Sequence, residues 1–308
     1  MTATILTSHE GLYGIQETID GLRSGASALD SLERGIKRIE ADIRARTVGF
    51  GGAPNALGVM QLDASVMNGA TLEVGAVGAL TGCRYPFSVA RKVMETLPHV
   101  LLAGEGASRF AQEMGIEQAE PLAAEARQDY EKWAAEHFSD EQRKNLGGVP
   151  LAPQMSFKTR TDLSKGTVTF LVRDDAGQLF GGVSTSGWAY KYPGRLGDSP
   201  IVGAGMYVDN RYGGAACTHT GEMTIRAGTA RSVVLYMKRG ATVEEAVREA
   251  IADLRYLKGG YLGPVIIHAL NREGEPFVAT TGGNQGDLYC FWQQGLSEFE
   301  RREPILVA

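Results

Sequence analysis

The chain has 308 residues, enough to bury a large core as one big domain or two smaller ones, and a net charge of −5. That balance leaves no basic footprint for nucleic acid or an anionic membrane, and no apolar run approaches the ~20 residues that span a bilayer. Forty glycines, about 13% of the chain against a usual ~7%, are scattered without a period, which excludes collagen-like and low-complexity readings and suits a tightly turned sheet protein.

Met1 to His9 carries no basic residue and only a brief apolar patch, a poor signal peptide. Cys83, Cys217 and Cys290 are odd in number and far apart, which argues against a disulfide framework or a CxxC metal site. Both features predict a cytoplasmic protein with reduced thiols.

In chain order, Leu12, Ile15, Ile19 and Leu22 predict a helix over 11–25, and Leu29, Leu32, Ile36, Ile39 and Ile43 a second over 26–45. After the glycine-punctuated turn Val48–Asn55, residues 70–80 read as a buried strand and 88–97 as a short helix entered through Pro86. Val100 to Ala107 reads as a strand running into a glycine-rich helix start. Its Gly104-Glu105-Gly106 lacks the third glycine of a dinucleotide-binding turn, with Arg109 in place, so no cofactor is expected there. Residues 119–166 change character: a charged helix over 123–137 with Trp133, a turn-rich part, then the polar, aperiodic Ser156–Lys165. They predict a flexible segment where a chain can be cut without losing its core.

From Thr167 the pattern becomes β. Residues 167–173 alternate, Asp174–Gly177 turn, and 179–184 return as the hairpin partner. Strands are predicted over 201–209, 214–218, 264–270, 276–281 and 287–292, and helices over 220–239 and 242–257. Two sheets packed together with helices outside make an α+β layered fold.

The five histidines are too dispersed for HxxH or HExxH, so no metal is expected. No P-loop or SxxK set occurs, and Gly182-Val183-Ser184-Thr185-Ser186 ends in Ser186 where a nucleophile elbow needs glycine. What remains lies after Gly166. A threonine freed by a cut before it carries an α-amine with a reference pKa of ~7.7–8, a general base beside its own hydroxyl. Gly166 would let the backbone bring the Thr167 hydroxyl onto the Gly166 carbonyl, so that an N→O acyl shift cleaves the chain. Arg195 can grip an α-carboxylate and Asp198 an α-ammonium, matching the zwitterionic end of an amino acid, on a loop set by Pro193, Gly194, Gly197 and Pro200. The alternative is a surface ion pair in a turn. Thr218, before Thr220-Gly221-Glu222, offers a hydroxyl and the following N–H as an oxyanion hole.

Together these residues resemble the glycosylasparaginases and type 2 asparaginases among the N-terminal-nucleophile (Ntn) hydrolases. The resemblance runs through Val48–Asn55, Leu62-Asp63-Ala64, Ser88–Glu95, Pro98–Ala107, Gly166-Thr167-Val168, Ser184-Thr185-Ser186-Gly187 and Pro193–Pro200 with Gly203-Ala204-Gly205. It implies a four-layer αββα sandwich in which 1–166 and 167–308 are the two parts of one self-cleaved domain, commonly assembled as a homodimer of cleaved heterodimers. It also implies that Thr167 attacks the side-chain amide of an asparagine derivative to form a β-aspartyl ester, with Thr185 beside it. Arg195 and Asp198 would hold the amino acid, and Thr218, the His219 backbone and Gly221 would line the remaining wall. The substrate is then a small amino-acid amide: asparagine, N4-(β-N-acetylglucosaminyl)-L-asparagine or, in a neighbouring reading, an isoaspartyl peptide. A non-catalytic, unprocessed amino-acid binder is the reading from another class.

Four positions depart from the glycosylasparaginase pattern. Gly166 stands where those enzymes carry an Asp that assists self-cleavage, as it does in plant-type asparaginases. Thr169 and His219 stand where glycines are usual, and the N-terminal pocket tryptophan has no counterpart, since the first Trp is Trp133 and His9 lies near its place.

Overall fold

Strand β1 (Thr4–Thr7) runs through the middle of the larger of two sheets, with Ile5 facing one side and Leu6 the other. In the sequence this stretch is only a brief apolar patch, because four residues are too few to show a period of two. Pairing on both edges makes the strand. Its neighbours are β5 (Val168–Arg173) and β11 (Tyr289–Gln293), both antiparallel. The computed structural model describes residues 2–120, 122–152, 166–282 and 287–307. The expected polar segment Ser156–Lys165 lies outside them.

Beyond β5 the large sheet continues through β6 (Leu179–Thr185), β2 (Leu62–Asn68), β3 (Val74–Leu80) and β4 (Leu101–Ala103). Beyond β11 it ends at β12 (Glu300–Arg302). The smaller sheet runs β13 (Ile305–Leu306), β10 (Pro276–Thr280), β9 (Val265–Asn271), β8 (Gly213–His219), β7 (Met206–Asp209). Leu6, Leu171 and Val183 of the first sheet meet Met206, Val208, Ala216, Ile266 and Leu270 of the second in a dry layer.

Helices α1 (Ile15–Arg23), α2 (Ala28–Glu40), α3 (Pro86–Thr96) and α4 (Gly104–Glu113) cover the outer face of the large sheet, with Ile19, Leu32, Ile36 and Val93 buried there. On the small sheet's outer face lie α8 (Thr229–Lys238) and α9 (Val243–Arg255), through Val233, Val234, Val247 and Ile251. The layers are αββα, as the sequence led us to expect. The start of α9 is locally encoded: Thr242 and Glu245 form a reciprocal capping box.

Boundaries differ from the sequence expectation where local chemistry intervenes. Helix α2 stops at Glu40 rather than near residue 45, because the Glu40 side chain turns inward to accept from Phe87 N–H and Ser184 Oγ; Ile43 is left 46% exposed. The helix expected over 220–239 is two, α7 (Gly221–Ala227) and α8, parted by Gly228 at φ +59. Of the strand expected over 201–209 only β7 forms, and 201–205 make a turn with Ala204 N–H bonded to the Ile201 carbonyl. In the stretch expected to be flexible, residues 124–144 hold helices α5 (Ala124–His137) and α6 (Asp140–Lys144). Trp133 of α5 stacks on Tyr190 at 4.5 Å in a small apolar cluster with Ala56, Phe138 and Leu151.

Candidate functional site

The β5–β6 hairpin pairs Val168 with Ser184, and the same register carried one step further sets Thr167 opposite Thr185. Their hydroxyls are 3.3 Å apart, with Thr167 Oγ1 donating. Thr185 Oγ1 accepts from Gly187 N–H at 3.0 Å and points its proton at the carbonyls of Thr47 (3.3 Å) and Gly166 (3.5 Å). Thr167 is nearly buried at 9% exposure, so its hydroxyl sits in a pre-formed polar setting.

Ser8, just past β1, holds the backbone around this threonine. Its hydroxyl donates to the Thr167 carbonyl at 2.7 Å and accepts from Thr169 N–H at 3.1 Å, while its own N–H reaches the Thr169 carbonyl. The Thr47 carbonyl gathers three donors: Thr185 Oγ1, Ser186 N–H and Ser186 Oγ. Gly166 is closely packed: a Cβ there would lie 2.1 Å from Thr47 Oγ1 and 2.7 Å from Glu10 Oε1. No side chain fits without displacing both, which gives the physical reason for glycine in this chain.

Gly187 links this cluster to the amino-acid clamp, since a Cβ on it would meet Lys191 Nζ at 2.9 Å and Arg195 Nη1 at 3.2 Å. Arg195 lies over the Trp188 ring at 4.4 Å, and the edge of Tyr261 backs that ring. Its Nε and Nη2 grip Glu222 at 2.9–3.0 Å, and its Nη1 edge faces the glycine-lined recess of Gly187 and Gly197. Arg195 is therefore braced by a protein carboxylate on one edge, while its Nη1 lies against Gly187 and Gly197 on the other.

Asp198 is buried against Glu222's helix. Its Oδ2 accepts from Thr224 Oγ1 at 2.7 Å, and its Oδ1 lies where only the absent side chain of Gly221 leaves room. Burial pushes its pKa up to about 6, against the opposing pull of Thr224 and Arg195. Thr218 is the penultimate residue of β8 and its hydroxyl is 3.1 Å from Nδ1 of His219, the last; His219 Nε2 is 3.5 Å from Asp287. His219 has φ +84, a left-handed backbone that favours glycine, so the imidazole is retained at a position costly for any side chain.

The residues expected from the sequence thus fall into connected groups: Gly166, Thr167 and Thr185 in direct contact, Arg195 reached through Gly187, Asp198 with Gly221, and Thr218 with His219. Sequence reasoning missed Ser8, Glu10, Thr47, Trp188, Lys191 and Glu222. Lys191 is fully buried, donates to the Gln61 carbonyl at 2.9 Å, and lies 4.0 Å from Asp63; burial lowers its pKa. Glu222 stands in the Thr220-Gly221-Glu222 run, but its pairing with Arg195, 27 residues away in the chain, leaves no local signal. Among the described residues no group of His, Cys, Asp or Glu is arranged to hold a metal ion, and no helix is long and apolar enough to cross a membrane.

A two-sheet sandwich with helices on both faces and a hydroxyl cluster beside a charged clamp is the frame of an amidohydrolase with the Ntn-hydrolase fold. A family model described as asparaginase matches residues 7–294, and the chain belongs to that family. It is 35% identical over 273 residues to an N(4)-(β-N-acetylglucosaminyl)-L-asparaginase of Elizabethkingia miricola, covering 86% of this chain and 74% of that protein. It is equally 35% identical to an isoaspartyl peptidase of Salmonella typhimurium, over 88% of this chain and 82% of that one. A plant-type L-asparaginase of Pyrococcus abyssi is 33% identical over 94% of this chain and 92% of its own length.

Proposed function

We propose that this amidohydrolase cleaves itself between Gly166 and Thr167 and then uses Thr167 to hydrolyse the side-chain β-amide of asparagine or an N4-substituted asparagine. The observation that carries this reading is the Thr167–Thr185 hydroxyl pair at 3.3 Å, joined through Gly187 to the Nη1 edge of Arg195. Arg195 Nη1 takes the substrate α-carboxylate and Asp198, with the space beside Gly221, its α-ammonium. Thr167 Oγ1 attacks the amide carbon while its α-amine takes the hydroxyl proton. The leaving amine departs with that proton and a β-aspartyl ester remains. Water, deprotonated by the same amine, then opens the ester and restores the hydroxyl. Thr218 and the His219 N–H face the transient oxyanion.

An isoaspartyl peptidase activity uses the same clamp and ester, and the Salmonella relative supports it as the second reading. Denaturing electrophoresis is expected to give two pieces, the C-terminal one beginning Thr-Val-Thr-Phe-Leu. Thr167→Ala is expected to stay whole and to lose turnover to background. Ammonia from asparagine, glycosylamine from a glycosyl-asparagine, or an amino acid from a β-aspartyl dipeptide then ranks the substrates. Full activity in Thr167→Ala would remove this residue from the chemistry.

A further inference from the structure

Glu10 is a buried carboxyl placed against the peptide that is to be cut. It lies on a single 3₁₀ turn after β1, is 8% exposed, and accepts from Thr47 Oγ1 at 2.9 Å. The Thr47 hydroxyl and Glu10 Oε1 together fill the space that a side chain on residue 166 would occupy. Neighbouring charges are engaged elsewhere: Arg44, on the loop that carries Thr47, pairs with Asp42, and His9 is influenced by Arg301 and Asp287. Burial holds the Glu10 carboxyl above its ordinary range, and the Thr47 hydrogen bond opposes this only in part. A buried carboxyl with a hydroxyl partner and no cation among its described contacts is poor for stability. It holds a proton more readily than an ordinary carboxyl, which suits it to proton exchange.

We propose that Glu10, acting through Thr47, is the positioning and proton-holding residue for cleavage of the Gly166–Thr167 bond. This rests on the self-cleavage proposed above. As Thr167 Oγ attacks the Gly166 carbonyl carbon, its proton turns from Thr185 Oγ1, its partner in the fold, to the Thr47 hydroxyl, which gives its own proton to the Glu10 carboxylate. The C–N bond breaks, and the proton returns to the Thr167 nitrogen, which becomes the free amine. Water then opens the ester, leaving a carboxylate on Gly166 and the hydroxyl on Thr167. That new carboxylate arises beside Glu10, and like-charge repulsion favours its departure from the site. The carboxyl that residue 166 itself cannot carry is supplied from the start of the chain.

The test follows precursor made by cell-free synthesis, with time points resolved on denaturing gels. Wild type is expected to cleave faster as pH rises through the Glu10 titration. Glu10→Gln, of the same shape, is expected to cleave about 100-fold more slowly and without that pH dependence. Glu10→Gly is expected to regain rate on addition of formate, which a merely structural role would not produce. Glu10→Gln cleaving at the wild-type rate with the wild-type pH profile overturns the role of Glu10 and leaves self-cleavage standing. A wild-type chain that stays whole overturns both.

Discussion

At the scale of single residues the site combines groups whose charge states are set by burial. Asp198 is the clearest case: its folded pKa near 6 means the carboxylate that would hold a substrate ammonium is lost in mild acid. In the proposed reaction the α-amine of Thr167 must also be neutral to act as base, with a reference value of ~7.7. Below pH 6 two protons then oppose catalysis, and log kcat/KM is expected to fall with a slope of two. In Asp198→Asn the slope drops to one, and KM rises by about 10–100-fold, the loss of a charge-assisted hydrogen bond. A slope of one in wild type, measured from pH 5 to 8, would contradict the assignment. His219 carries a side chain at φ +84, with Nδ1 3.1 Å from the Thr218 hydroxyl and Nε2 3.5 Å from Asp287.

At the scale of elements, one carboxyl ties three of them together. Glu40, at the end of α2, accepts from the first turn of α3 and from Ser184 on β6, and burial pushes its pKa up to about 8. Between about pH 5 and 8 the folded state keeps this proton while the unfolded chain releases it. The folded form binds more protons, so Glu40 makes stability fall as pH rises across that window. Glu40→Gln keeps the accepting oxygen and cannot ionise. Urea unfolding is expected to show its stability relative to wild type improving by about 3 kcal/mol from pH 5.5 to pH 8. An unchanged difference at the two pH values would show that Glu40 is ionised in the fold. Most elements were legible in advance, because helical periodicity is local. The end of α2 was not, because Glu40 turns inward to partners on α3 and β6, 47 and 144 residues away.

For the molecule as a whole, the sheet order decides what a cut at 166–167 does. β1 precedes the cut, yet it lies between β11 and β5, which follow it, and β2 pairs with β6 across the same divide. Strands of the two pieces alternate within one hydrogen-bonded sheet, so cleavage frees two chain ends without opening an edge. The pieces are therefore expected to co-elute in native gel filtration and to separate only in denaturant. Separate elution without denaturant would contradict this interleaving.

The sequence by itself determined what is local in chain space: the amphipathic helices, the hairpin that begins at Thr167, and the Arg195–Asp198 loop with its glycines and prolines. Those follow from side-chain period and turn chemistry over a few residues. The tertiary structure alone decided that Ser8 reaches Thr167 across 159 residues, that Glu10 and Thr47 occupy the side-chain space of Gly166, and that Lys191 is buried beneath the clamp. Such contacts depend on which strands become neighbours, and no period or spacing in the chain carries that information. Gly166 shows the difference most plainly: in sequence it is a missing carboxyl, and in the fold its side-chain space is filled by the Thr47 hydroxyl and the Glu10 carboxyl from the turn after β1.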